Sequence, residues 1–302
     1  MRTAVITTVS GRGLHLRRQR WGLAQQTSTP DLHVVVAMDD PTAFAACDGP
    51  GGGELVLVEQ PLDGGELPLA AARNAGAAAA LDRGADVLVF LDVDCIPSRG
   101  LVGRYRDAVR SEERMVLHCG TVNYLSAAES ELSATGFDID MLRGRPHPAR
   151  PEPTAGSHDT DDWQLFWSLS FAVSATTWRR LGGFDERFAG YGGEDTDLGL
   201  RAHLADVPIR WWSGASASHQ YHPSTQPPVQ HLDSILRNAN LFRDLHGFFP
   251  MTGWLEAFAA AGLARHDPVA DRWTGLRQVL PDCLAPGVGK GTTGSRSAAS
   301  SG

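Results

Sequence analysis

What this 302-residue chain has little of narrows its possibilities before any motif is considered. No apolar run reaches the roughly 18 residues that a bilayer-spanning helix requires. No apolar stretch precedes Arg20, so a signal peptide is not expected. Cysteine is sparse: Cys47, Cys95, Cys119 and Cys283 are scattered without C-x-x-C spacing. They read as reduced thiols of a cytoplasmic protein. Positive charge is also short, with 27 Lys and Arg against 35 Asp and Glu and a net charge of −8. That balance argues against nucleic acid as a partner, which would favour a basic face. Lysine is all but missing, Lys290 being the only one. Together with abundant Ala and Gly, the reliance on arginine points to a GC-rich bacterial source.

What is present is an alternation of strand-like and helix-like segments. Residues 3–12, TAVITTVSGR, read as a β-branched strand running into a glycine-containing loop. Residues 14–26 have helical apolar spacing. Residues 31–40, DLHVVVAMDD, and 54–60, ELVLVEQ, read as a second and a third strand, and residues 67–84 as an Ala-rich helix. Such alternation argues for an α/β fold with a mostly parallel central sheet flanked by helices. Residues 143–162 are rich in Pro and Gly and too long for a simple connection, as binding loops often are. Trp163, Phe166 and Trp167 follow and are candidates to face a ligand. Residues 229–248 and 252–266 are expected to be C-terminal helices packed on the sheet. Residues 289–302 contain too little apolar material to fold.

Residues 87–98, VLVFLDVDCIPS, carry the most chemistry. A short apolar run bounded by turn residues reads as a buried strand. Asp92 and Asp94 therefore emerge at the carboxyl edge of the sheet, where open α/β folds bind ligands. Two carboxylates there can hold a divalent cation such as Mn²⁺ or Mg²⁺, and the cation in turn a diphosphate. A second acidic segment, Glu194-Asp195-Thr196-Asp197, lies about one hundred residues later at the start of a helix, preceded by Gly192 and Gly193. Acids suit a helix N-terminus. The glycines allow close backbone approach to a ligand, and Phe184, Phe188 and Tyr191 offer apolar faces to a sugar ring.

With FLDVDCIPS followed by GGFDERFAGYGGEDTDLGLR, the chain resembles the GT-A nucleotide-sugar glycosyltransferases. More narrowly it resembles family 2-like members with a C-terminal galactosyltransferase-type segment. The resemblance covers residues 3–265. It implies a GT-A (Rossmann-like) domain over 1–265, with a nucleotide-binding half (1–120) and an acceptor and catalytic half (121–265). An extension, 266–302, ends in a disordered tail. The resemblance places the nucleotide against Thr8, Val9, Arg12, Asp39, Arg73 and Asn74. Asp92 faces the ribose or a metal-bound water, and Gly193 lies beside the donor. Asp94 and a downstream histidine become metal ligands; His219 is the first choice by position and His222 the reserve. Asp195 becomes the general base and Glu194 an acceptor-binding group. The implied activity is metal-dependent transfer from a nucleotide-sugar, with UDP favoured, to an acceptor hydroxyl with inversion. A sugar-nucleotide pyrophosphorylase would need a Gly-rich, Lys/Arg-bearing loop longer than TVSGRG. A nucleotide-sugar-binding protein without catalysis is the other alternative.

Overall fold

The computed structural model describes residues 1–150 and 152–276. Its first half runs β1 (Thr3–Val9), α1 (Gly13–Ala24), β2 (Leu32–Met38), β3 (Glu54–Gln60), α2 (Leu69–Leu81) and β4 (Val87–Leu91). Then come β5 (Cys95–Pro97), α3 (Leu101–Arg110) and β6 (Leu117–Tyr124). The second half holds β7 (Arg145–Pro146), β8 (Ser157–Thr160), β9 (Ser170–Ser174), α4 (Ala175–Leu181), α5 (Glu194–Leu204) and β10 (Ile209–His219). It closes with α6 (Leu232–His246), α7 (Thr252–Ala260) and a hairpin of β11 (Ala264–Asp267) and β12 (Arg272–Gly275).

The central sheet has the order β3-β2-β1-β4-β9-β6-β10-β5. The block β3-β2-β1-β4 is parallel throughout. Helices cover both faces of β1, β2 and β4, which are buried on both sides, whereas the edge strand β3 leaves Leu55 and Leu57 exposed. Ala4, Ile6, Val34, Val36, Leu88 and Phe90 pack with α2, α4 and α5. Val5, Val87 and Val89 pack with α3 and the end of α1 on the other face. Chain order reverses between β1 and β4, so the crevice beyond their carboxyl ends is the expected place for a ligand. Among the described residues no helix is long and apolar enough to cross a membrane.

The expected mostly parallel sheet is borne out: β9 enters between β4 and β6 antiparallel to both, and β6 and β10 are again parallel. Two expectations need correction. The segment 143–162 is not all loop, since β7 pairs with β6 and β8 with β10. The C-terminal helices do not lie on the sheet: α6 and α7 share a small core with the closing hairpin. Phe242 of α6 meets Phe188 and Leu200 of α5. The hairpin spans the boundary expected at 265, and residues 289–302 lie outside the described residues.

β10 carries the irregularity on which the histidine positions depend. It pairs with β6 in parallel from Ile209 to Trp212, and the register then shifts before resuming at Ala217. The bulge presses the Ala215 carbonyl onto Gly120 of β6, so that a Cβ there would overlap Ala215 O and lie 2.7 Å from the Tyr105 hydroxyl. Backbone cannot yield as a side-chain tip can. Gly120→Ala is therefore expected to destabilise the protein by about 1–3 kcal/mol or more, read as a lower midpoint in urea unfolding. An unchanged midpoint would mean that the bulge relaxes freely.

Candidate active site

After the bulge, β10 resumes pairing on both sides. His219 lies opposite Tyr124 of β6 and opposite Cys95 of β5. Cys95 follows Asp94, so the register delivers the His219 ring to the Asp94 carboxylate. His219 Nε2 is 3.4 Å from Asp94 Oδ1, and His222 Nε2 is 3.6 Å from Oδ2. Their candidate ligand atoms lie within 4.8 Å of one another. The two histidines are therefore not alternatives; both converge. One carboxylate and two imidazoles form a donor set that fits a divalent metal ion. Burial lowers the His222 pKa and Arg12 adds to the effect, while Asp94 opposes it. His222 is thus held in the neutral form that ligates metals. Arg12 also pairs with Asp94 Oδ2.

The acids of the two motifs meet through Arg73 of α2. Its guanidinium is 3.1 Å from Asp92 and 3.0 Å from Glu194, and it lies 5.2 Å above the Phe184 ring. Burial alone would lower its pKa, but Asp92 and Glu194 outweigh burial and raise it. The charge of Arg73 is therefore permanent. Glu194 is buried and gives Oε1 to Arg73. Asp195 follows it, half-buried. Its Oδ1 accepts from the Thr196 backbone N–H at 2.7 Å, while Oδ2 has no protein partner among the described residues. Burial first, and the neighbouring Glu194 second, push its pKa up to about 7. Asp197 is taken up elsewhere, by Arg201 at 2.7 Å and His246 at 2.8 Å. Gly193, at φ +98, makes the left-handed turn that starts α5. A Cβ there would press on Phe188 at 3.1 Å.

The other expected residues divide. Thr8 and Val9 are buried at the carboxyl end of β1. Asp39 is exposed at the end of β2, whereas Asp40 is buried and accepts from the Gly11 N–H at 2.8 Å. Asn74 is engaged with the turn before the glycine-rich segment. Its amide donates to Phe184 O and accepts from Phe184 N–H, both at 2.9 Å, and so clamps the Gly183-Phe184 turn. Phe184 and Phe188 are core residues, which leaves Tyr191, stacked at 4.5 Å on His231, as the exposed aromatic of the glycine-rich segment. Phe166 is also core. Sequence reading missed Gln19, whose amide fixes the turn holding Asp92 and Asp94. It donates 2.7 Å to Asp92 O and 3.2 Å to Cys95 O, and its Oε1 accepts from Thr7 at 2.9 Å. Its one signal was a polar side chain within the helix that covers β1.

Comparison with known proteins agrees with this fold. The fold is that of the GT-A glycosyltransferases. Staphylococcus aureus TarS 1–349 in complex with UDP-GlcNAc superposes with a TM-score of 0.56 at 13% identity, over 80% of this chain and 65% of that one. GalNAc-T7 with UDP, GalNAc and Mn²⁺ gives 0.53 at 13% identity, over 86% and 57%. Residues 158–223 match the family model described as the N-terminal domain of galactosyltransferase. Validoxylamine A glucosyltransferase of Streptomyces hygroscopicus subsp. jinggangensis is 43% identical over 63 residues. That match spans 20% of this chain and 15% of the relative. The resemblance to GT-A glycosyltransferases with a galactosyltransferase-type segment is thereby borne out.

Removing Arg73 leaves the buried Glu194 and the half-buried Asp92 without the cation they share. Arg73→Met should cost about 3–5 kcal/mol of stability, measured by denaturant unfolding. If Arg73→Met unfolds at the wild-type midpoint, the two motifs do not depend on this ion pair.

Proposed function

We propose that this chain is a metal-dependent glycosyltransferase that moves a sugar from a UDP-sugar to an acceptor hydroxyl with inversion. The observation that carries the reading is the convergence of Asp94, His219 and His222, supported by the Arg73 bridge from Asp92 to Glu194, the residue before Asp195. The UDP assignment is supported by structural relatives described with UDP-GlcNAc and with UDP, GalNAc and Mn²⁺. A bacterial cytoplasmic setting is in keeping with Cys47, Cys95 and Cys119, all buried and free.

Asp94, His219 and His222 would hold the ion. The two imidazoles favour Mn²⁺ over Mg²⁺, which demands an octahedral oxygen shell. When bound, the ion neutralises negative charge gathering on the leaving diphosphate. Asp195 accepts the proton of the acceptor hydroxyl through its free Oδ2. The acceptor oxygen then bonds to the anomeric carbon as the carbon–oxygen bond to the diphosphate breaks, and the bonding pair leaves with the diphosphate. A base with a pKa near the working pH combines a populated basic form with useful proton affinity. Burial raises the pKa of Asp92 and Arg73 opposes that rise, while burial and the neighbouring Glu194 raise that of Asp195.

Asp94→Ala should abolish Mn²⁺-dependent UDP binding, and His219→Ala and His222→Ala should each weaken it. Isothermal titration with and without Mn²⁺ is the measurement. Unchanged affinity in all three variants would remove the metal assignment.

Asp195→Asn should leave UDP binding nearly intact while turnover falls by roughly 10²-fold or more. The sign of the pH effect comes from the raised pKa. Below about 7 the carboxyl is protonated and cannot accept a proton, so wild-type turnover rises through about pH 7 and levels above it. The variant should lack this limb. Near-wild-type turnover in Asp195→Asn would place the base elsewhere.

A further inference from the structure

One buried charge has been given no role in the steps above. Arg150 is 4% exposed, yet it makes no ion pair among the described residues. Its guanidinium stacks 3.6 Å over the Trp167 ring and lies 5.8 Å from Trp211. Nη2 reaches the Tyr124 hydroxyl at 3.3 Å, and Nε is buried without a partner. Arg18 and Arg20 are also buried without a carboxylate. Arg18, however, donates to the carbonyls of Leu132 and Ser133, and Arg20 to Gly49 O while contacting His33 Nδ1. Arg150 has one neutral hydroxyl. An unpaired buried cation is strongly disfavoured unless something compensates it, and such exceptions tend to mark functional sites.

Its position says what the compensation is. Tyr124, the single side chain that Arg150 donates to, faces the His219 ring at 5.0 Å between centroids. His147 packs edge-on to Trp167 at 4.8 Å and completes the wall around the guanidinium. Arg150 therefore stands one side chain behind the proposed metal ligands. We propose that Arg150 is a preformed receptor for an oxyanion beside the Asp94–His219–His222 cluster, and that the donor's diphosphate is the source this placement favours. The same chemistry would accept the phosphate or carboxylate of an acidic acceptor. The aromatic face of Trp167 fixes the plane of the guanidinium, and the planar fork then presents its remaining N–H groups to the anion. Held away from bulk water, such a contact is worth more than it would be at the surface. The choice of the diphosphate as source rests on the proposed glycosyl transfer; the anion site itself does not.

The test compares wild type, Arg150→Met and Arg150→Lys for binding of UDP with Mn²⁺, of uridine, and of inorganic phosphate. If Arg150 receives the diphosphate, Arg150→Met weakens UDP roughly 10- to 100-fold. Uridine affinity stays unchanged and Arg150→Lys recovers part of the loss. Phosphate should raise the thermal midpoint of the wild type but not of Arg150→Met. Competition between phosphate and UDP assigns the anion to the donor, whereas a further phosphate shift at saturating UDP and Mn²⁺ assigns it to an acidic acceptor. Arg150-dependent phosphate binding in a wild type that ignores UDP would sink the nucleotide-sugar reading and leave the anion site standing. The anion site is overturned if wild type and a folded Arg150→Met respond alike to both ligands. Should the methionine variant fail to fold, a wild type that neither phosphate nor UDP stabilises overturns it equally.

Discussion

Four carboxylates, Asp92, Asp94, Glu194 and Asp195, crowd one edge of this sheet, and like charges at that spacing cannot all remain ionised without compensation. Arg73 makes the arrangement possible. It is buried, it touches acids from two segments about one hundred residues apart, and its charge cannot be titrated away. The next residue on the same helix, Asn74, holds the backbone of the Gly183-Phe184 turn. One turn of α2 thus sets both the electrostatic and the geometric relation between the halves of the molecule.

The two clusters divide the work by charge. Around Asp94 the partners are Arg12 and two imidazoles. Around Asp195 the partners are burial and another acid, an environment that raises its proton affinity. A carboxyl raised in this way is suited to exchange a proton near neutral pH.

Much of this was legible in the sequence, and the reasons are local. Val87–Leu91 is five apolar residues ended by an acid, and the strand occupies those five positions. The glycine pair before Glu194 marked a backbone of special freedom, and Gly192 and Gly193 both adopt positive φ. What could not be read depends on pairing between distant segments. Nothing near residue 170 says that its strand will run antiparallel between β4 and β6. The roles of His219 and His222 depend on the β10 bulge and its register, which no periodicity encodes. The resemblance set Arg73 and Asn74 as a pair against the nucleotide. Adjacent helix positions point about 100° apart, and the neighbour of a site residue was turned to a different task. Asp40 rather than Asp39 holds the Gly11 loop for a similar reason: paired acids at a strand end face opposite ways.

The strand that brings Cys95 beside His219 is three residues long and lies at the outer edge of the sheet. It is joined to β10 by three residue pairs and pinned beneath by the Gln19 amide. Short as it is, all three of its residues are buried, and Ile96 and Pro97 pack against Gly22 of α1. The Gln19 side chain that holds it also bonds Thr7 of β1, and Cys95 packs with Val5, Val87 and Val89 of the parallel block. This edge therefore does not fray by itself: the contacts that keep Asp94 beside His219 and His222 are contacts of the core. A change that loosens the packing beneath β1 and β4 should spread these three side chains apart as well.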